Sequence, residues 1–342
     1  MILSVIIPTR NRSKILFGTL ESIAKQTLHS KLFEVIVVDN GSTDSTRDVV
    51  DSFTGQIPTL RYYYEGSPGL HVGRHKGLKE AKSNILVYAD DDIEAFPTWL
   101  DAIAEAFEDK DVVLVGGKNL PKFEIEPPDW IMKMWLDAHS EGNVLGFLSI
   151  LDFGDSILRI NADYVFGCNF SIRKSILIEA GGFHPDAMPQ ELIRYRGDGE
   201  SYVSRYLQEQ GYITLYHPKA SVYHFVSKER MTESYFCKRA YNQGISDSFT
   251  QIRASGGLFE VPSLRCITKS HYERLRQMSP SDIVRAIGRR AKRINARFKR
   301  EPCAKIRNKI AKAYRAGWQF HQNELQNDPT LLEYVLKQTY LE

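Results

Sequence analysis

Three consecutive carboxylates, Asp90-Asp91-Asp92, follow directly on the apolar run Ile85-Leu86-Val87-Tyr88-Ala89. Adjacent negative charges repel one another unless a cation or hydrogen-bond donors compensate them. A hard divalent ion of the Mn²⁺ or Mg²⁺ kind does so and keeps coordination positions open for phosphate oxygens, so the triplet suits a metal that holds a diphosphate. The rival reading is a solvated acidic turn. Asp39 ends a second apolar run, Val35-Ile36-Val37-Val38. A carboxylate there accepts from ribose hydroxyls or a base N–H; its plain alternative is an Asx turn. Pro8-Thr9-Arg10-Asn11-Arg12 ends a third run and offers polar and basic groups to a base and phosphates, although Arg10 and Arg12 also read as surface charges. Neither GxGxxG nor GxxxxGK[ST] is present, which removes support from dinucleotide and P-loop readings.

These groups need strands to carry them, and the first third of the chain alternates strand and helix patterns. Ser4–Ile7, Glu34–Asp39, Leu60–Tyr64, Ile85–Ala89 and Val112–Val115 read as strands. Between them, Ser13 is placed to cap a helix carrying Leu16, Leu20 and Ile23, the stretch from Val72 to Ala81 reads as a helix, and Pro97 opens one carrying Trp99, Leu100 and Ile103. Such alternation predicts an α/β fold with a doubly wound, mostly parallel sheet of Rossmann-like type, which binds ligands at the carboxyl ends of its strands. All three candidate motifs fall at strand ends. From about Gly116 to His224 the pattern is less regular. After Ser227 it turns mostly helical, and Ile283, Ile287, Ile294 and Phe298 recur at helical spacing with basic residues between them.

A chain of 342 residues, 42% hydrophobic and 25% charged, buries a core without disulfides. Its four cysteines form no CxxC pair, so they read as thiols of a reducing compartment rather than a zinc cluster. The N-terminus has no basic n-region and no apolar run approaches a membrane span, giving the expectation of a cytoplasmic protein. The net charge of +3 hides thirteen Lys and Arg between Arg285 and Arg315 against the single acid Glu301. That run either packs its apolar stripe on the rest of the protein or docks at an anionic membrane at the inner face, where each basic residue near the surface contributes about 1 kcal/mol. No nucleic-acid partner is expected.

In this order, the segments resemble the family 2 glycosyltransferases with the GT-A fold. The resemblance runs through Ser4 to Arg12, Val37-Val38-Asp39-Asn40-Gly41-Ser42-Thr43-Asp44, Gly73-Arg74-His75-Lys76-Gly77 and Tyr88-Ala89-Asp90-Asp91-Asp92. It continues through Gly167-Cys168-Asn169, Gly181-Gly182-Phe183 and Asp198-Gly199-Glu200, to about Gly244. It implies a GT-A catalytic domain over 1–226, with a nucleotide-sugar half (1–115) and an acceptor half (116–226), followed by a helical region over 227–342. It also implies roles. Pro8, Thr9, Arg10, Asp39, Arg74, Asp90 and Asp91 would meet the nucleotide sugar. Asp92, with His224, would hold Mn²⁺ or Mg²⁺ across the diphosphate. Asp91 departs from the neutral middle residue of the family's DxD motif. The family's Glu-Asp dipeptide is absent; aligning the apolar helix positions Val203 and Leu207 puts Glu200 at the catalytic base, with Asp198 the alternative. Trp130, after Pro127-Pro128, and Asn169 are candidates for contacting acceptor or donor sugar, whereas Trp99 sits at core spacing.

The expected activity is therefore metal-dependent, inverting, single-addition transfer from a nucleotide sugar, of UDP type, to a saccharide or lipid-linked acceptor in polysaccharide or glycoconjugate synthesis. The family's processive QxxRW motif is absent. Two rivals remain. A sugar nucleotidyltransferase shares the nucleotide-binding architecture but usually has a Gly-rich loop after the first strand. A catalytically inactive, glycosyltransferase-like adaptor would use only its basic tail, on membrane or nucleic acid.

Overall fold

The computed structural model describes residues 1–136, 142–258 and 303–341. Its larger sheet has eight strands in the order β10-β12-β6-β11-β4-β1-β2-β3. They are β1 (Leu3–Thr9), β2 (Phe33–Asp39), β3 (Leu60–Tyr64), β4 (Ile85–Ala89), β6 (Val112–Gly116), β10 (Leu158–Arg159), β11 (Asn169–Arg173) and β12 (Ile213–Tyr216). β1 through β4 run parallel, as do β6 and β12, while β11 runs antiparallel between β4 and β6. Every residue of β1 and β2 is buried. Strands covered on both faces have near-continuous apolar sequences, which is why these two stand out in the sequence.

Helices α1 (Ser13–Ala24), α2 (Thr46–Ser52), α3 (Leu70–Glu80) and α4 (Trp99–Ala106) connect the early strands. Leu16, Leu20 and Ile23 of α1 and the fully buried Trp99 of α4 pack into one core cluster. Ser13 is the first residue of α1 and its hydroxyl caps nothing. The start of the helix is held instead by the Asp44 carboxylate, which accepts from the Ser13 N–H at 3.0 Å.

The second sheet was not visible in the sequence. Its order is β5-β13-β7-β9-β8, with β5 (Ile93–Ala95), β7 (Asn119–Phe123), β8 (Asn143–Leu145), β9 (Ile150–Asp152) and β13 (Val222–Val226). Three of these strands have only three residues, too few to display a period of two. Helices α5 (Asp129–Leu136), α6 (Lys174–Glu179) and α7 (Glu200–Glu209) complete this half.

The later described residues are helical: α8 (Glu233–Ser255), α9 (Ala304–Asn327) and α10 (Pro329–Val335). α8 and α9 run side by side. A Cβ on Gly244 would stand 2.1 Å from the Tyr314 carbonyl oxygen, and one on Gly317 would stand 1.9 Å from that of Tyr241. The two glycines thus permit backbone contact at the crossing. The C-terminal tail returns to the body, where the Tyr340 ring meets those of His71 and His184. The apolar basic stripe from Ile283 to Phe298 lies outside the described residues. The later part of the basic run, from Lys305 to Arg315, lies on α9.

Candidate active site

Parallel pairing aligns the carboxyl ends of β1, β2 and β4, so Thr9, Asp39 and the Asp90–Asp92 triplet share one edge. Antiparallel β11 starts where β4 ends, pairing Asn169 with Ala89 and bringing Cys168 to the same edge. From the second sheet, β13 pairs His224 with Ile93. A cleft of about 250 Å³ opens here, lined by Pro8, Thr9, Arg10, Arg12, Asp90 and Asp91 among others.

The three aspartates have different partners. Asp91 is buried and accepts from the Thr9 hydroxyl at 2.6 Å and from Arg12 Nη1 at 2.5 Å. Burial raises its pKa to about 7 against the opposing pull of Arg12. Asp92, also buried, accepts from Arg12 Nη2 at 2.8 Å and Arg230 Nη1 at 3.3 Å. Burial works against its charge, but His224 in its protonated form, Arg12 and Arg230 outweigh it and hold the carboxyl well below the usual range. Asp90 is a third exposed. Desolvation by the surrounding protein and the charge of Asp92 raise its pKa, while Arg74 lowers it. The wholly buried Asp39 accepts from the Ser42 N–H and the Tyr62 hydroxyl, both at 2.7 Å.

Asp92 Oδ1 is buried, lacks a hydrogen-bond partner, and lies 3.2 Å from Nε2 of His224. Nδ1 of His224 is 2.8 Å from the Leu148 carbonyl. A carbonyl only accepts, so Nδ1 carries a hydrogen, and in the neutral ring Nε2 is an acceptor. In that form Nε2 and Asp92 Oδ1 face each other as two acceptors, a ligand pair that suits a cation. Oxygen from Asp92 and nitrogen from His224 fit Mn²⁺ better than Mg²⁺. Ligating atoms of Asp90, Cys168 and His224 also lie within 4.8 Å of one another. Arg230 Nη1, 3.4 Å from Nε2, supplies positive charge at this point.

On the other side of Asp90, the buried guanidinium of Arg74 reaches two carboxylates. Nη2 is 3.8 Å from Asp90 and Nη1 donates to Glu200 Oε2 at 3.1 Å. Gly167 makes room for this pair, since a Cβ there would fall 2.2 Å from Arg74 Nη2 and 3.0 Å from Glu200 Oε1. Glu200 opens α7 after Gly199, whose φ of +52° is left-handed. Its carboxylate lines a groove of about 540 Å³ together with Phe147, Asp186, Arg196, Arg239 and Gln243.

Asp198 is buried and bonded on both oxygens, by His184 Nδ1 at 2.6 Å, by Thr250 Oγ1 at 2.6 Å and by Arg205. These donors overcome the burial penalty and lower its pKa to about 2. Asp198 lines the same groove with both oxygens engaged by protein donors, whereas the hydrogen bond made by Glu200 is to Arg74.

Two sugar-contact expectations meet structural obstacles. Asn169 is buried, and its amide is committed: Oδ1 accepts from Trp99 Nε1 at 2.9 Å, and Nδ2 donates to Asn119 Oδ1 at 3.1 Å and the Ala220 carbonyl at 2.9 Å. Its work is to tie β11 to α4 and β7, which leaves nothing to offer a sugar. Trp130 packs edge-on against Phe236, ring centres 4.8 Å apart, in an apolar cluster, and is not among the residues lining the groove of Glu200. Trp99 is core, as its spacing predicts. Sequence reasoning left Arg12 open between a phosphate contact and a surface charge and did not single out Arg230 or Cys168. Arg12 lay in a recognisable motif, while Arg230 carries no local signal and reaches the triplet only through the turn after β13.

A mostly parallel sheet with acidic residues gathered at its carboxyl edge defines an α/β protein of the nucleotide-binding kind. The family model for glycosyl transferase family 2 matches residues 4–181, more than half of the chain, and the chain belongs to that family. It is 37% identical over 107 residues to a validoxylamine A glucosyltransferase of Streptomyces hygroscopicus subsp. jinggangensis, a match covering 31% of this chain and 25% of the relative. Over 231 residues it is 23% identical to a glucosyl-dolichyl phosphate glucuronosyltransferase of Haloferax volcanii, covering 67% of this chain and 70% of that one. In fold it is similar to a mannosyltransferase of Pyrobaculum calidifontis solved with GDP-Man and Mn²⁺, with a TM-score of 0.53 at 18% identity over 98% of this chain and 84% of the other. The family match counts against the nucleotidyltransferase reading, and the chain matches about a quarter of the length of the first of these relatives.

Proposed function

We propose that this glycosyltransferase is metal-dependent and inverting, and that it adds one sugar at a time from a nucleotide-sugar donor, of UDP type, to a saccharide or lipid-linked acceptor. Pro8, Thr9, Arg10 and Asp39 bind the nucleotide at the sheet edge. Asp92 and His224 hold the divalent ion, with Asp90 beside them. When bound, that ion neutralises the charge that gathers on the departing diphosphate. Glu200 takes the proton of the acceptor hydroxyl as its oxygen attacks the anomeric carbon, and the bond to the diphosphate breaks on the opposite face. Arg74 positions the base.

The observation that carries this reading is the reach of Arg74, whose single guanidinium meets Asp90 in the donor cleft and Glu200 in the neighbouring groove. Donor on one side and acceptor on the other then meet within one side chain's span. The test follows nucleoside diphosphate release from UDP-sugars with and without Mn²⁺, in the unmodified chain and in Asp92→Ala. Release that needs Mn²⁺ and is lost in the variant supports the reading; metal-independent release that survives in Asp92→Ala overturns it.

A further inference from the structure

Cys168 stands at the carboxyl edge of the sheet, and the reaction as proposed gives it nothing to do. Its neighbours in the chain are fixed on both sides. Gly167 before it packs against the Arg74–Glu200 pair, and Asn169 after it opens β11 with both amide atoms bonded into the scaffold. The thiol between them is buried, and its sulfur is 3.9 Å from the Ser149 carbonyl oxygen, a distant partner. A buried cysteine is most often a small apolar filler, and Cys168 does belong to a core cluster. Its company on the other side is of a different kind. Sγ, a carboxylate oxygen of Asp90 and a ring nitrogen of His224 lie within 4.8 Å of one another. Asp92 adds Oδ1, which is buried, has no hydrogen-bond partner and lies 3.2 Å from Nε2 of His224. Two carboxylates, an imidazole and a thiol thus gather at one point beside the donor cleft.

We infer that Cys168 is a metal ligand: its sulfur joins Asp90, Asp92 and His224 at the cation, and the centre binds thiophilic divalent ions such as Co²⁺, Zn²⁺ and Cd²⁺ more tightly than Mn²⁺. The inference rests on the proposed metal role of Asp92 and His224 and goes beyond it in adding a sulfur ligand. Three atoms no more than 4.8 Å apart enclose a point at most about 2.8 Å from each, and Zn–S bonds are about 2.3 Å and Zn–N bonds about 2.0–2.1 Å, so side-chain shifts of under about 1 Å bring them to bonding distance. Coordination takes the thiolate form: the S–H proton leaves to solvent and the sulfur–metal bond takes its place. A thiolate favours soft ions and adds little for Mn²⁺, which suits oxygen ligands. Arg230 is the competing source of positive charge, with Nη1 3.3 Å from Asp92 Oδ2 and 3.4 Å from Nε2 of His224.

Cobalt absorption reads the sulfur directly, because a thiolate ligand gives an intense near-ultraviolet charge-transfer band that oxygen and nitrogen ligands do not. The chain has four cysteines, so the triple variant Cys237→Ser, Cys266→Ser, Cys303→Ser keeps Cys168 as its one thiol. Titrated with Co²⁺ alone, both it and the unmodified chain should develop the band, saturating at one ion per chain. The band should vanish in Cys168→Ser and in His224→Ala. By calorimetry, Cd²⁺ should bind Cys168→Ser at least roughly tenfold more weakly than the unmodified chain, while Mn²⁺ affinity moves by less than about twofold. Co²⁺ bound to the unmodified chain without the band overturns the proposal, as does a band that survives in Cys168→Ser. Absence of Co²⁺ binding also overturns it, Arg230 then being the counter-charge of the group. Nucleoside diphosphate release with Mn²⁺ is measured alongside. If release needs Mn²⁺ and Asp92 while Co²⁺ gives no band, only the sulfur ligand falls. A band from Cys168 with metal-independent release in Asp92→Ala keeps the metal site and overturns its proposed part in sugar transfer.

Discussion

Asp92 and Asp198 are built from the same parts, a buried aspartate with a histidine and an arginine, and they differ in how those parts are turned. At Asp198 the histidine faces the carboxylate with its N–H: His184 Nδ1 is 2.6 Å away, Thr250 and Arg205 take the other oxygen, and both oxygens are satisfied. At Asp92 the histidine turns its Nδ1–H to the Leu148 carbonyl, Oδ1 has no hydrogen-bond donor, and Nε2 meets the Arg230 guanidinium at 3.4 Å. The saturated cluster closes on itself and holds α7 to α8, whereas the unsaturated one keeps coordination capacity for something that is not protein. Buried polar groups are normally paired, so an orphaned acceptor at a cleft marks function more reliably than the mere presence of acids does.

The largest expected effect separates the two carboxylates at the mouth of α7. If Glu200 is the proposed base, Glu200→Gln should cut sugar transfer by roughly 10²- to 10⁴-fold, with little change in melting temperature because the position is part-exposed. Transfer assays alongside thermal melts check both halves, and wild-type transfer in Glu200→Gln would break the contrast. Asp198→Asn should do the reverse. Replacing a saturated buried carboxylate weakens bonds to His184, Thr250 and Arg205, at a cost of about 3 kcal/mol in urea unfolding. The folded fraction should retain transfer, since the base is elsewhere.

Much of the donor half was legible in the sequence for a physical reason. β1, β2 and β4 are buried, apolar and five to seven residues long, so the groups at their ends, Thr9, Asp39 and Asp90–Asp92, could be located by counting. Helix alignment favoured Glu200 over Asp198, and the hydrogen bonds that engage Asp198 are visible only in three dimensions. Arg230 and Cys168 were not legible as site groups, because what brings them to the triplet is pairing across two sheets. Asn169 misled for the opposite reason: a polar residue in a short Gly-Cys-Asn turn suggests a ligand contact, and its three buried bonds are visible only in three dimensions. Asn169→Ala should therefore destabilise the chain by about 1–3 kcal/mol, by orphaning Trp99 Nε1 and the Ala220 carbonyl. An unchanged urea midpoint together with altered sugar specificity would return Asn169 to the binding site.

The smallest effect concerns three buried histidines of the scaffold, His71, His184 and His321. Burial lowers His71 and His321 to about 4, and lowers His184 as well. In the unfolded chain each would titrate near 6.5. Folding therefore favours the neutral ring, and the stability this contributes is fully present above about pH 6.5 and declines as pH falls towards 4. Each such histidine adds a slope of up to about 1.4 kcal/mol per pH unit in that window. His321 lies at the α8–α9 contact, with Nδ1 2.8 Å from the Ser248 hydroxyl and Nε2 unpartnered. His321→Gln keeps a polar, uncharged group at the position and should flatten the slope of unfolding free energy between pH 6.5 and 4.5 by about one proton's worth, leaving the slope above pH 7 alone. Urea melts at half-unit pH intervals measure it. A slope unchanged by the substitution would mean that His321 takes up its proton in the folded protein as readily as in the unfolded chain, and that the α8–α9 contact tolerates charge where its packing suggests none.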